Sequence, residues 1–375
     1  MGKAFLLLLC LHVQLLAIAQ KKPAAVKIPL TADRWTYKPG TVSFTEYKGV
    51  PALQILANMP PVVLKDFDFT NGTIEFDMAP ADSSRFTGIY FRRQDDKESE
   101  YFYLRVFDGS QKPGVLWSIQ YAPIIQGVNL WDMLPYYQGP AAYKKQEWNH
   151  IKLVVSGVQM LIYINDMSHP VMEVPRLEGN TTQGGLAFDG KTAIANLVVT
   201  PNEVAGLLPA EGIDPVAHDP RYLREWSISQ PQPLPNGQEL FAGALPPKET
   251  VWENITAERR GLVNLTRRFG LSESRRVVWL KVKLKAATEQ KRVVNLGFSD
   301  EIWVFINGQM LFVDKNLYAR PIMKVPEGRC SIENAAFTLP LKAGENELLV
   351  GLSNDFYGWG IIARLDDMEN VEVVK

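Results

Sequence analysis

Glu75 and Asp77, in the stretch "GTIEFDMAP" (72–80), are the pair of carboxylates whose spacing comes nearest to glycoside chemistry. Alternate residues of a strand share a face, so three acids spaced E-x-D-x-x-E would present a nucleophile and an acid/base to one cleft. Pro80 stands where the last glutamate should be. The proton donor is therefore missing, and Glu75 and Asp77 read as outward carboxylates of a strand. A second acidic pair, Asp300 and Glu301, lies in "NLGFSDEIWVFINGQMLFV" (295–313). Alternation there separates Trp303 and Phe305 from Ile302, Val304 and Ile306, and Asn307-Gly308 favours the left-handed backbone of a two-residue hairpin turn. Asp300, at the preceding turn, is expected to cap backbone N–H groups rather than to catalyse.

Other constellations carry less. His150, His169 and His218 are not at metal-ligand spacing from one another, and no G-x-S-x-G, phosphate-binding or dinucleotide-binding loop occurs. Cys330 has no histidine near it in sequence and reads as a half-buried bystander. No organic cofactor is implied. The one metal that the composition admits is a structural calcium ion on loop carboxylates such as Asp189 or Asp355, since calcium takes carboxylate and carbonyl oxygens.

Aromatic and amide residues give the better clue. A sugar ring has an apolar face bordered by hydroxyls, and binding it takes an aromatic platform with amides, carboxylates or guanidinium groups beside it. Residues 117–137 supply Gln120, Asn129, Trp131, Tyr136 and Tyr137, and Arg92, Tyr101, Tyr103 and Arg105 precede them on what should be neighbouring strands. These nine are the candidate ligand-binding residues. In "EYFYLRVF" (100–107), alternation puts Tyr101, Tyr103, Arg105 and Phe107 on one face and Phe102, Leu104 and Val106 on the other. Tyr136 and Tyr137, between Pro135 and Gly139, are expected on an exposed loop. Arg105 would add a charge-assisted hydrogen bond to a uronate or sulfate.

The elements that must position these residues are strands. "FTGIYFRR" (86–93), "WNHIKLVVSG" (148–157) and "MLIYIND" (160–166) are short, rich in β-branched and aromatic residues and bounded by turns. The pattern breaks over 203–225, where Pro209, Pro215 and Pro220 interrupt any period, and it resumes with "WSIS" (226–229), "RRVVWLKVKLKAA" (275–287) and "NELLVGLSN" (346–354). No sustained helical period appears. The expected fold is all-β, with two β-sandwiches, residues 20–202 and 226–375, joined by a linker at 203–225.

The N-terminus has the three parts of a secretory signal: Lys3, the apolar run "AFLLLLCLHVQLLAIA" and the small-x-small step Ala17-Ile18-Ala19. Cleavage there would remove residues 1–19, and Cys10 with them, leaving Cys330 without an intrachain disulfide partner. Sequons at Asn71, Asn180, Asn254 and Asn264 matter only where the host glycosylates. A net charge of −1 gives no global field for nucleic acid or anionic lipid.

With the strands placed, 24–202 resembles the concanavalin A-like, laminin-G-like jelly rolls of secreted bacterial proteins, through "GTIEFDM", "GIYFRRQDD", "YFYLRVF", "IQYAPIIQGVNLWDM", "EWNHIKLVVSG", "IYINDMSHPVMEVPRL" and "AIANLVVTP". Residues 222–375 resemble galactose-binding-like jelly rolls, through "LGFSDEIWVFINGQMLF", "LPLKAGENELLVGLSNDF" and "GWGIIARLD". The resemblances imply a secreted or periplasmic carbohydrate-binding, lectin-like protein without catalysis, with a glycan or polysaccharide as partner. Both folds carry enzymes as well as binders, so two alternatives stand. One is a glycoside hydrolase or keto-glycoside-processing enzyme whose acids converge from distant loops. The other is an assembly module that binds protein partners. Neither nucleic acid nor integral membrane insertion is expected.

Overall fold

The computed structural model describes residues 24–374 except 111, 113 and 114. The expected secretory signal, residues 1–19 with Cys10, lies outside the described residues.

The chain forms two β-sandwiches. In the first, one sheet runs Met172–Val174, Gln159–Ile164, Asn149–Ser156, Gly72–Pro80, Thr192–Pro201, Val50–Ile55, Val42–Tyr47, with Val26–Lys27 beside Thr192–Pro201. The facing sheet runs Gln138–Gly139, Ile119–Tyr121, Glu100–Arg105, Phe86–Arg93, Gly185–Asp189, Val62–Leu64, Trp35–Thr36. Between them lie Ile74, Phe76 and Met78 from one side and Ile89, Phe91, Phe102, Leu104 and Phe188 from the other, all fully buried. The period-2 pattern of each strand supplies one side of this core, and hydrophobic burial holds the layers together.

The second sandwich pairs a sheet built on Arg276–Ala286, Gly344–Asn354 and Asp300–Ile306 with a four-stranded sheet, Val263–Asn264, Gly360–Leu365, Gln290–Phe298, Ala335–Leu341. Asn307 and Gly308 both take positive φ (50° and 78°), the turn that lets Asp300–Ile306 pair with Gln309–Asn316 as a hairpin. One short α-helix, Leu265–Phe269, begins under the side chain of Asn264, whose Oδ1 accepts from Arg267 N.

Residues 202–224 contain no named strand, but they are bonded to both sides. Val158 N donates to Pro209 O (3.1 Å) and Gly212 N to Pro175 O (2.8 Å). From the second sandwich, Arg259 Nη1 reaches Gly212 O (2.9 Å) and Arg260 N reaches the Asp214 carboxylate (3.2 Å). The seam is apolar inside: Tyr222, Leu262, Cys330 and Ile362 pack into the same cluster as the first sandwich's core. Cys330 is fully buried there, not half-buried, because it packs into that cluster, where its backbone N–H also donates to Asp132 O at 2.8 Å.

Candidate functional site at the seam

Tyr101, Tyr103 and Arg105 share the outer face of their sheet, opposite the buried Phe102 and Leu104. The antiparallel neighbour brings Tyr90 opposite Tyr101, Gly88 opposite Tyr103 and Phe86 opposite Arg105. The rings of Tyr90 and Tyr101 stack at 4.1 Å, and those of Tyr101 and Tyr103 at 4.9 Å. Gly88 makes this possible, because a Cβ there would sit 2.7 Å from Tyr103 Cβ and 2.8 Å from Tyr101 Cε2. The three tyrosines form the floor of a cavity of about 520 Å³.

Both sandwiches wall this cavity. The first adds Arg85, Phe86, Phe107, Trp117, Asn129, Trp131 and Asp189, and the second adds Tyr318, Glu327, Arg329, Phe356 and Tyr357. Trp131 stands edge-on to Tyr318 (5.0 Å) and Tyr357 (5.8 Å), while Tyr318 stacks on Phe356 at 5.5 Å. The Arg329 guanidinium lies 5.1 Å from the centre of the Trp131 ring.

Charged and amide groups are set among the rings. Asp189 accepts the Tyr90 hydroxyl (2.9 Å) on Oδ2 and the Tyr101 hydroxyl (2.9 Å) on Oδ1. Burial pushes its carboxyl up to about 7 despite these bonds. Burial likewise raises Tyr103 to about 12, the nearby Arg105 cation opposing it. Arg105 is 5% exposed with both Nη groups engaged: Nη1 donates to Trp117 O and Gln138 Oε1, Nη2 to Tyr103 Oη and Gln120 Oε1. Burial lowers its pKa, and among the described residues no carboxylate forms an ion pair with it. Asn129 Oδ1 is buried in the lining without a hydrogen-bond partner.

Of the nine residues expected from sequence, Tyr101, Tyr103, Arg105, Asn129 and Trp131 line this cavity. Gln120 lies beneath it, wholly buried, where Oε1 accepts from Tyr103 and Arg105 and Nε2 donates to Trp131 O (2.7 Å). Three are elsewhere. Arg92 takes positive φ (49°) where the pairing with Gly185–Asp189 slips register. That bulge breaks the alternation, and the side chain turns inward to Thr70 O, Asn71 Oδ1 and Gly157 O. Tyr136 and Tyr137 are not exposed on a loop. They form a 3₁₀ turn pressed against the seam, with Tyr137 3% exposed and donating to Glu178 Oε1 (3.0 Å), and Arg260 lying 4.3 Å over the Tyr136 ring.

The acids singled out for catalysis stay apart from the cavity. Asp77 and Glu75 flank His150 on the opposite sheet, with Nδ1 2.7 Å from Asp77 and Nε2 3.4 Å from Glu75. Asp300 caps backbone as expected, its Oδ2 accepting from Asp355 N (2.8 Å) and Phe356 N (3.2 Å). Glu301 is buried in ion pairs with Arg275 and Lys315. Among the described residues no group of three or more His, Cys, Asp or Glu converges to hold a metal, and Asp189 and Asp355 belong to no such group. Among them, too, no helix is long and apolar enough to cross a membrane.

No local pattern marks Arg329 or Glu327, which join the site because residues 317–334 fold against the first sandwich at Trp131 and Asp132. Phe356 and Tyr357 were within reach, as an aromatic pair in the turn "NDFYGWG" (354–360).

No protein family model matches the chain, and no curated protein matches it. Among solved structures, a carbohydrate-binding module from Bacillus subtilis is similar to 44% of this chain over 96% of its own length, at 14% identity and a TM-score of 0.35. A Bacillus subtilis protein of unknown function with a galectin-like fold is similar to 48% of this chain over 97% of its own, at 12% identity and a TM-score of 0.36. A putative glycosyl hydrolase from Parabacteroides distasonis is similar to 46% of this chain over 89% of its own, at 12% identity and a TM-score of 0.32.

Proposed function

We propose that the protein is an exported, lectin-like carbohydrate-binding protein without catalysis, and that its glycan sits in the seam cavity. The carrying observation is the lining itself. A stacked floor of Tyr90, Tyr101 and Tyr103 faces a wall of Trp131, Tyr318, Phe356 and Tyr357, with guanidinium, carboxylate and amide groups set between them. A cavity of about 520 Å³ is of the size that small ligands occupy. The apolar faces of one or two sugar units fit such aromatic walls. In this reading the first sandwich is of the concanavalin A-like, laminin-G-like kind and the second of the galactose-binding-like kind. Export rests on the tripartite N-terminus.

A broad glycan array, followed by calorimetry on the parent and on Trp131→Ala, tests the proposal. Binding by the parent and its loss in the folded variant support it. Silence on the array together with a stable protein complex in pull-downs would replace it with an assembly role. A glycoside-processing activity is the second reading, favoured by one observation: Asp189, held near 7 by burial, stands in the cavity wall. Turnover of a glycan or keto-glycoside that Asp189→Asn abolishes would establish it.

A further inference from the structure

Arg329 is 4% exposed, yet its guanidinium is only partly used. Nη1 pairs with Glu327 Oε2 at 2.9 Å; Nε is buried without a partner, and no described residue accepts from Nη2. The backbone is anchored: Arg329 N donates to Pro326 O, and Arg329 O accepts from Asn316 and Asn334. The side chain is thus held over Trp131 inside the cavity wall with donors unfilled. A buried guanidinium in that condition is costly unless an acceptor arrives.

The surroundings favour a negative acceptor. Arg105, buried and without a carboxylate partner among the described residues, faces the same cavity, and Arg85 lies at its edge. The carboxylates of the lining are Asp189, already accepting two tyrosine hydroxyls, and Glu327, whose side chain is 56% exposed. Glu327 therefore fills Nη1 only, and Nη2 is left without a described acceptor at the cavity wall.

We propose that the cavity selects an acidic sugar, whose carboxylate or sulfate is held on the free edge of Arg329 while its ring lies on the aromatic walls. This deepens the carbohydrate-binding reading and rests on it. Arg105 supports the site from behind through its field. Its four Nη hydrogen-bond acceptors are protein groups, so the direct contact falls to Arg329 and not to Arg105.

Calorimetry on the full mature chain tests this with matched pairs: galacturonate oligosaccharides against their methyl esters, and galactose 6-sulfate oligosaccharides against unsulfated ones, with inorganic sulfate as a separate titrant. The acidic member of one pair should bind about tenfold or more tighter, an advantage that shrinks at high salt. The pair that shows it tells uronate from sulfate. Arg329→Gln, checked for an unchanged melting temperature, should bring the acidic and neutral members of that pair to equal affinity. Glu327→Gln, at an exposed position, should enlarge it severalfold. Equal affinity within both pairs overturns the inference and leaves the sugar reading standing, as does an advantage that survives Arg329→Gln. Sulfate binding lost in Arg329→Gln without any sugar binding would keep the anion site and overturn the sugar reading.

Discussion

Asp132 of the first sandwich and Asp300 of the second hold the same short turn from opposite sides. The Asp132 carboxylate accepts from Gly358 N (3.1 Å to Oδ2), and Asp300 Oδ2 accepts from Asp355 N (2.8 Å) and Phe356 N (3.2 Å). Between these bonds lie Phe356 and Tyr357, which wall the cavity. Site and seam are thus one construction: the bonds that dock the sandwiches also place the aromatic wall.

Both acids are buried, and burial pushes Asp300 up to about 8 and Asp132 up to about 7. Such groups keep a proton in the folded chain that the unfolded chain releases near its ordinary pKa. Their stabilising contribution is full at acid pH and is lost as pH rises to 7–8, with a slope of about 1.4 kcal/mol per pH unit for one fully linked group. Asp300→Asn mimics the protonated acid and can still accept both amides. It should match the parent near or below pH 4, exceed it increasingly up to pH 8, and flatten the fall of melting temperature between them. An identical pH slope in parent and variant would show that Asp300 does not titrate in this window.

Arg92 should behave as a structural residue. It is 2% exposed and bonds Thr70 O, Asn71 Oδ1 and Gly157 O, tying the two sheets of the first sandwich together. Arg92→Lys cannot reproduce this fork and should destabilise the chain by about 2–4 kcal/mol in denaturant titration. Ligand affinity of the folded fraction should not change. Weakened binding at full stability would return Arg92 to the site.

How far the site was legible follows from the same residues. Strict period 2 exposed the outward face of Tyr101, Tyr103 and Arg105, because that strand has no bulge. It failed at Arg92, where a residue of positive φ turns the side chain to the other layer. Burial of Tyr137 and Cys330 could not be read locally, since Tyr137 is covered by Tyr121 and Glu178, distant along the same sandwich, and Cys330 by the other half of the chain. Arg329 and Glu327 were missed for the same reason. Strands are written in sequence neighbours, whereas this cavity is made where two sandwiches meet.

Tyr357 offers the cleanest separation of binding from folding. It is 45% exposed and touches Trp131 and Phe356 edge-on. Tyr357→Ala should leave the melting temperature nearly unchanged and weaken glycan binding by about 1 kcal/mol, the scale of one aromatic contact. Unaltered affinity would remove the second sandwich's turn from the binding surface.

Gly358 sets how closely the sandwiches approach. A Cβ on it would lie 2.4 Å from Met133 Cγ and 2.7 Å from Asp132 Oδ1, so any larger residue must displace these two side chains or the sandwich that carries them. Its N–H is also the donor to Asp132, and the adjoining Trp359 is fully buried, so the turn cannot retreat. Gly358→Ala should cost about 1–3 kcal/mol through overpacking. Because residues 202–224 bridge the same seam, the strain should appear as faster proteolysis within them, with weaker glycan binding alongside. Protease resistance equal to the parent's, with affinity intact, would mean that the seam yields without opening and that the cavity does not depend on this contact.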